Sequence, residues 1–153
     1  MPQLTLHTPL GPVTLSEEDG QIVSLDSGTG RDQTETPLLK RARAQLHAYF
    51  DGKSLTFDLP LAPQGTEYQR KIWAALLKIP PGQTRTYVDI ARSAGGSPRS
   101  VGGANGRNPI PIIIPCHRVV AVGGLGGYSG FDGLESKQFL LDHERRHLTS
   151  PQS

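Results

Sequence analysis

The 153 residues contain one cysteine, Cys116, set in Pro109-Ile110-Pro111-Ile112-Ile113-Ile114-Pro115-Cys116-His117-Arg118-Val119-Val120. A lone thiol with a histidine beside it suggests nucleophilic chemistry, in which sulfur attacks an electrophilic carbon with help from a base. The bland alternative is a small buried hydrophobe, because free cysteine packs as one. A free thiol titrates at about 8.5, so little of it is thiolate at neutral pH unless a partner assists. Side chains adjacent in sequence do not normally face each other, so a thiol hydrolase would need a histidine from elsewhere. One cysteine excludes an internal disulfide and a multi-cysteine zinc site. His7 and His47 have no soft ligand near them in sequence, so no metal is expected.

The reactive stretch needs elements to hold it. The isoleucine run is too short and too β-branched for a helix and reads as a short, buried, extended segment. Pro115 then bends the chain and withholds an N–H, which favours a turn at the thiol. Upstream, Thr86 can cap a short helix, Tyr87 to Ala94, with Val88, Ile90 and Ala91 as its buried face. Gly95-Gly96 is a tight turn, and Ser97-Pro98 opens a second helix running to about Gly103. Helix, glycine turn and helix in this space form the layout of a helix-turn-helix. The second helix is made of small residues, Ser100, Val101, Gly102, Gly103 and Ala104, with Arg99 as its long polar side chain. Glycines weaken a helix, so either a ligand backbone or a neighbouring helix must approach closely there. Asn108, held extended by Pro109, can bridge carbonyls and N–H groups of the following turn. Downstream, Gly123 to Gly133 is glycine-rich with two aromatics and could wall a flat ligand. It lacks the lysine and context of a phosphate loop.

The remaining pattern is that of a small α/β unit. Leu4–His7, Val13–Leu15 and Ile22–Leu25 read as strands, with a hairpin at Glu18-Asp19-Gly20. Thr36-Pro37 starts a helix whose apolar face is Leu39, Ala42, Leu46, Tyr49 and Phe50. Leu55-Thr56-Phe57 reads as an edge strand, and Leu59 to Gly65 as a linker. Thr66 caps a helix to Leu77, with Tyr68, Ile72, Ala75 and Leu76 on one stripe and Trp73 beside it. A last helix, Leu134 to Glu144, would bury Leu134, Phe139, Leu140 and Leu141. The expected domains are therefore 1–62 and 63–153. The first carries five basic and eight acidic side chains and the second eleven and six. A basic second half suggests a polyanionic partner. No apolar run is long enough to span a membrane. The N-terminus lacks a secretory signal, and a single free thiol fits a reducing cytosol, so a cytoplasmic protein is expected.

Asn108-Pro109 with Ile113-Ile114-Pro115-Cys116-His117-Arg118-Val119-Val120 resembles the active-site signature of the O6-alkylguanine-DNA alkyltransferases. Trp73 through Thr86-Tyr87, Arg99-Ser100-Val101-Gly102-Gly103-Ala104, Gly127-Tyr128-Ser129-Gly130, Lys137 and Leu140-Leu141-Asp142-His143-Glu144 agree with it. The resemblance implies an α/β, ribonuclease H-like N-terminal domain, with a small antiparallel sheet plus a helix, packed on a mainly α domain with a helix-turn-helix. It implies single-turnover transfer of the alkyl group from O6-alkylguanine in duplex DNA to Cys116, after minor-groove binding and flipping of the base. O4-alkylthymine is left open as a second substrate.

The resemblance also implies roles. Cys116 is the nucleophile, His117 acts through water to deprotonate it, and Glu144 orients His117. Asn108 ties the recognition helix to the reactive turn. Tyr87 crowds a phosphate and faces the base, and its hydroxyl could supply the proton the leaving guanine needs. Arg99 fills the space the base vacates, and Ser100, Gly102, Ala104 and Arg107 complete the DNA-facing surface. Val119, Tyr128, Ser129 and Asn105 line the pocket. Asn105 stands where some relatives carry a larger apolar residue, and Phe131-Asp132 looks like an insertion. The implied protein is a monomer without cofactor, located in the cytoplasm and on the nucleoid when DNA-bound. The alternative from a binding class is a protein that flags alkylated bases without repairing them.

Overall fold

The computed structural model describes residues 1–128 and 130–148. The chain divides into two compact units, Met1–Gln64 and Gly65–Ser153.

In the first unit β1 (Gln3–Thr8), β2 (Gly11–Glu18) and β3 (Gln21–Ser27) form an antiparallel sheet in that order. Alternation sends Leu4, Leu6, Val13 and Leu15 to the buried face with Leu25 opposite Leu15, and Ile22, three residues from Leu25, reaches the same face through an irregularity in the β2–β3 pairing. A bulge between Ser16 and Glu17 shifts the β2–β3 register. Helix α1 (Pro37–Phe50) starts where the Thr36 hydroxyl accepts from Leu39 N, and it buries Leu39, Ala42, Leu46 and Tyr49. Leu55-Thr56-Phe57, expected as an edge strand, forms none. Leu55 is buried as a plug and Phe57 stacks on Tyr49 at 5.6 Å. The bridge to β3 comes later, from Leu61 to Ile22.

In the second unit α2 (Glu67–Leu76) begins with a reciprocal capping box between Thr66 and Gln69. Trp73, expected beside the apolar stripe, is instead at its centre. Trp73 is 1% exposed, and its indole N–H donates to Ala104 O at 2.9 Å. Helix α3 (Tyr87–Ala94), capped by Thr86 and Asp89, buries Ile90 and Ala94, while Val88 and Ala91 are half-buried. Helix α4 (Pro98–Gly106), capped by Ser97 and Ser100, runs three residues past the expected end. Its interior glycines are tolerated because Val101, Ala104 and Asn105 anchor one face.

The isoleucine run is buried but not extended. Ile112 adopts φ 74° and Ile114 N donates to Ile110 O at 2.9 Å, so the run is a tight turn. A β-branched residue in this conformation is strained by about 1–3 kcal/mol. Complete burial of Ile110, Ile112 and Ile114 holds it there. Cys116–Arg118 form one 3-10 turn, and Val119–Val120 (β5) pair in parallel with Arg85–Thr86 (β4). Helix α5 (Leu134–Leu148) extends past Glu144 and presents a different face from the expected one. Leu134 and Phe139 are exposed at 49% and 37%, while Ser136, Lys137, His143 and Glu144 are buried with Leu140 and Leu141. No helix among the described residues is long and apolar enough to cross a membrane.

Candidate active site

Cys116 opens the 3-10 turn and is only 5% exposed. Burial pushes its thiol up from the ordinary value, against the opposing pull of a hydrogen bond with Asn108, the Lys137 charge and Tyr128.

His117 and Glu144 are both fully buried and paired, Nε2 to Oε2, at 2.6 Å. Arg118 Nε and Nη2 donate to the two oxygens of the same carboxylate at 2.9 and 3.0 Å, and Arg118 Nη1 donates to Ile79 O at 2.7 Å. Gly82 N adds a donor at 3.3 Å. Burial alone would raise the Glu144 carboxyl, but the hydrogen bonds and charges of His117 and Arg118 win and hold it well below the usual carboxylate range. Burial lowers His117 despite Glu144. With Glu144 ionised, Nε2 carries the shared proton and Nδ1 is left as a basic lone pair. Nδ1 is buried with no protein hydrogen-bond partner among the described residues.

Asn108 sits between α4 and the reactive turn. Its Nδ2 donates to Ile114 O at 2.8 Å, and its Oδ1 accepts from Ile110 N at 2.9 Å. Asn105, 6% exposed, is a second link, because its Nδ2 donates to Cys116 O at 3.2 Å. On the other side the Tyr87 hydroxyl accepts from Gly127 N at 3.2 Å, which leaves its own proton free to donate. Tyr128 Oη is buried without a hydrogen-bond partner among the described residues but is close enough to Cys116 for each to affect the other's ionisation. Val119 O, expected as an acceptor for a base amine, already accepts from Lys137 Nζ at 2.7 Å, so such an amine must share it. Ser129 lies outside the described residues.

The expected DNA-facing residues divide. Arg99 and Arg107 are exposed at the two ends of α4, and Arg99 has no ion pair among the described residues. Ser100 is exposed, but its hydroxyl is tied to Tyr68 Oη at 2.8 Å and to the Ser97 cap. Gly102 lies over the Tyr87 ring. Ala104 does not belong to this surface. It is 3% exposed and turned inward under Trp73, because the helical period places it on the face of Val101.

Two partners escaped the sequence reading. Arg118 and Lys137 stood only among the matched signature residues, without a task. Their signal, a charge inside an otherwise packed stretch, appears only once burial is known.

Fold and site together define a class: a sheet-and-helix unit followed by a helix-turn-helix unit that encloses one thiol beside a histidine–glutamate pair. Comparison with known proteins narrows it. Residues 67–146 match the family model described as 6-O-methylguanine DNA methyltransferase, DNA binding domain, and residues 3–63 match the ribonuclease-like domain of the same family. A methylated-DNA–protein-cysteine methyltransferase of Methanosarcina barkeri is 45% identical over 94% of this chain and 96% of its own. The constitutive one of Bacillus subtilis is 44% identical over 92% and 93%. A crystal structure of Mycobacterium tuberculosis OGT in complex with DNA superposes with a TM-score of 0.86 at 37% identity, over 96% of this chain and 94% of that one. The chain belongs to the 6-O-methylguanine DNA methyltransferase family.

Proposed function

We propose that the protein repairs DNA by direct reversal, moving the alkyl group of O6-alkylguanine to Cys116 in one irreversible step. The observation that carries this reading is the enclosed Cys116 thiol next to a histidine whose Nδ1 is a free base. His117 Nδ1 takes the thiol proton, through water, as the alkylated base enters. The thiolate attacks the alkyl carbon, the C–O6 bond breaks, and its electron pair returns to the purine. The Tyr87 hydroxyl or water then protonates the purine, and a thioether remains on Cys116. A thioether does not hydrolyse readily, so each molecule acts once.

We assign domains 1–62 and 63–153 to the chain, supported by the separate family matches and the two compact units. The DNA-facing surface is the outer side of α4 with Arg99, Ser100, Gly102 and Arg107. We place the protein in the cytoplasm, as a monomer, and on the nucleoid when bound to DNA.

Incubating the chain with a duplex containing O6-methylguanine is expected to add one CH2 to its intact mass, in one-to-one proportion. Tight lesion binding without a mass change would replace repair by damage flagging.

Two variants test the DNA surface. Arg99→Ala should slow transfer from the duplex far more than from free O6-methylguanine, because only the duplex leaves a gap to fill. Equal slowing removes the finger role. Gly103 has open space on its outer side, with no atom within 4 Å of an added Cβ, so helix packing does not explain it. Gly103→Ala should raise stability by about 0.5–1 kcal/mol in thermal melts. It should also weaken duplex binding, because the added methyl would hold the DNA backbone away, and unchanged binding would count against close approach.

A further inference from the structure

Lys137, in the first turns of α5, is completely enclosed at 0% exposure. Its ammonium donates to Val119 O at 2.7 Å, Leu125 O at 2.6 Å and Gly127 O at 2.9 Å. An ammonium has three donors and no acceptor, so three carbonyls satisfy it fully, whereas a neutral amine would aim its lone pair at one of them. The bonds join β5, next to the reactive turn, to two points of the glycine-rich segment. The same Nζ lies 5.9 Å from the centre of the Tyr87 ring.

The cation lacks a carboxylate. Among the described residues none is within ion-pair distance of it, and Glu144 is engaged by His117 and Arg118. An enclosed charge without a counter-charge is costly. Burial accordingly lowers the Lys137 ammonium to about 8, and Cys116 is the acid whose charge acts on it in the opposite direction. The other titratable or charged groups around this centre are His117, Arg118, Glu144, Tyr87 and Tyr128. None supplies an uncommitted negative charge.

We propose that Lys137 is a positioning residue for the transfer: its ammonium pins the Leu125–Gly127 wall to β5 and serves as counter-ion when Cys116 becomes a thiolate. Pinning alone needs only three hydrogen bonds, which neutral donors could supply. The missing carboxylate is what assigns the second task. A resident carboxylate would neutralise the cation at rest and leave nothing to favour ionisation of the thiol. The arrangement resolves a tension in the site, where desolvation opposes the very thiolate the reaction needs. The inference rests on the alkyl-transfer reading, but its main readout needs no DNA.

Lys137→Met keeps the length of the side chain and removes its charge. In the full chain, the ultraviolet thiolate titration of Cys116 should move up by about one pH unit or more, the usual effect of losing a nearby opposite charge. Methyl transfer from the duplex at pH 7 should fall at least about tenfold, the rate equivalent of that shift, and the deficit should shrink as the pH is raised. A purely structural role predicts an unmoved thiol titration with the same loss at every pH, and that result overturns the proposal, as does an unchanged rate. If the variant does not fold, the Lys137 amine carries the test by side-chain NMR. Its midpoint should be lower in Cys116→Ser than in the natural chain, and equal midpoints overturn the counter-ion role. Failure of the repair reading would show separately, as natural protein that titrates normally yet gains no methyl group.

Discussion

Replacing Cys116 by serine abolishes methyl uptake while the protein still folds and still binds lesion-bearing duplex. The exchange removes one atom type from a side chain that is 5% exposed and leaves the backbone acceptor used by Asn105 in place. A hydroxyl is far less acidic than a thiol, and His117 Nδ1 would have to generate an alkoxide in an enclosed site where desolvation already penalises the anion. No other cysteine can substitute. Intact mass after incubation with excess O6-methylguanine duplex should equal that of the untreated variant. A gel-shift titration with the same duplex should resemble that of the natural chain. A methyl gain that persists in Cys116→Ser would place the acceptor elsewhere and end the proposed chemistry.

Glu144→Ala carries the largest stability loss. The carboxylate receives donors from His117, twice from Arg118, and from Gly82, and the His117 and Arg118 bonds are buried. Deleting it leaves the Arg118 guanidinium, 6% exposed, without its counter-charge. Removing one partner of a buried pair costs about 3–5 kcal/mol. For a chain of this size that is a fall of roughly 10 °C or more in melting temperature. Trp73, the single tryptophan, lies in the same unit and reports that unit's unfolding by fluorescence. Glu144 also sets an acid limit. Its carboxyl is held well below the usual range in the folded chain, whereas in the unfolded chain it titrates at about 4.3. The stabilisation is therefore complete above that pH and is lost as acid approaches the folded value. Glu144→Gln should melt lower at neutral pH and lose less on acidification from pH 5 to 3. Parallel acid slopes for the two proteins would assign the sensitivity to other carboxylates.

Arg118 explains why Glu144 can be trusted to stay ionised. His117 alone would share its proton with the carboxylate in a dry site. The guanidinium makes two bonds to that carboxylate and favours its charged form, so the His117 proton stays on Nε2 and the basic lone pair stays on Nδ1. The tautomer of the histidine is thus decided by the residue next to it in sequence, acting through a glutamate 26 residues further on. The Ile112 turn has a comparable logic. An extended run would carry the chain past the thiol, whereas the strained turn reverses it and lets Asn108 bond both Ile110 and Ile114 before Cys116 begins its 3-10 turn.

Much was legible in local sequence. The three strands, the caps at Thr36, Thr66, Thr86 and Ser97, and the helix-turn-helix follow from spacing and side-chain chemistry within a few residues. The lone thiol, the histidine beside it and Asn108 before a proline marked the reactive stretch. What local pattern cannot encode is which polar groups are enclosed. Apart from the role the resemblance gives Glu144, Lys137, Arg118 and Glu144 look like ordinary charges in their local sequence. Helix α5 turned its Leu134 and Phe139 outward because the partners that pay for burying Lys137 and Glu144 come from β5, the glycine-rich segment and the reactive turn, far away in sequence. The parallel pairing of Arg85-Thr86 with Val119-Val120 is likewise too short to leave a pattern. The sequence by itself determined the three-stranded sheet, the helices and their caps, the candidate nucleophile and the kind of partner. Only the tertiary structure decided the charge state of the site, because ionisation of a thiol, an imidazole or a carboxylate depends on desolvation and on donors that the fold alone brings together.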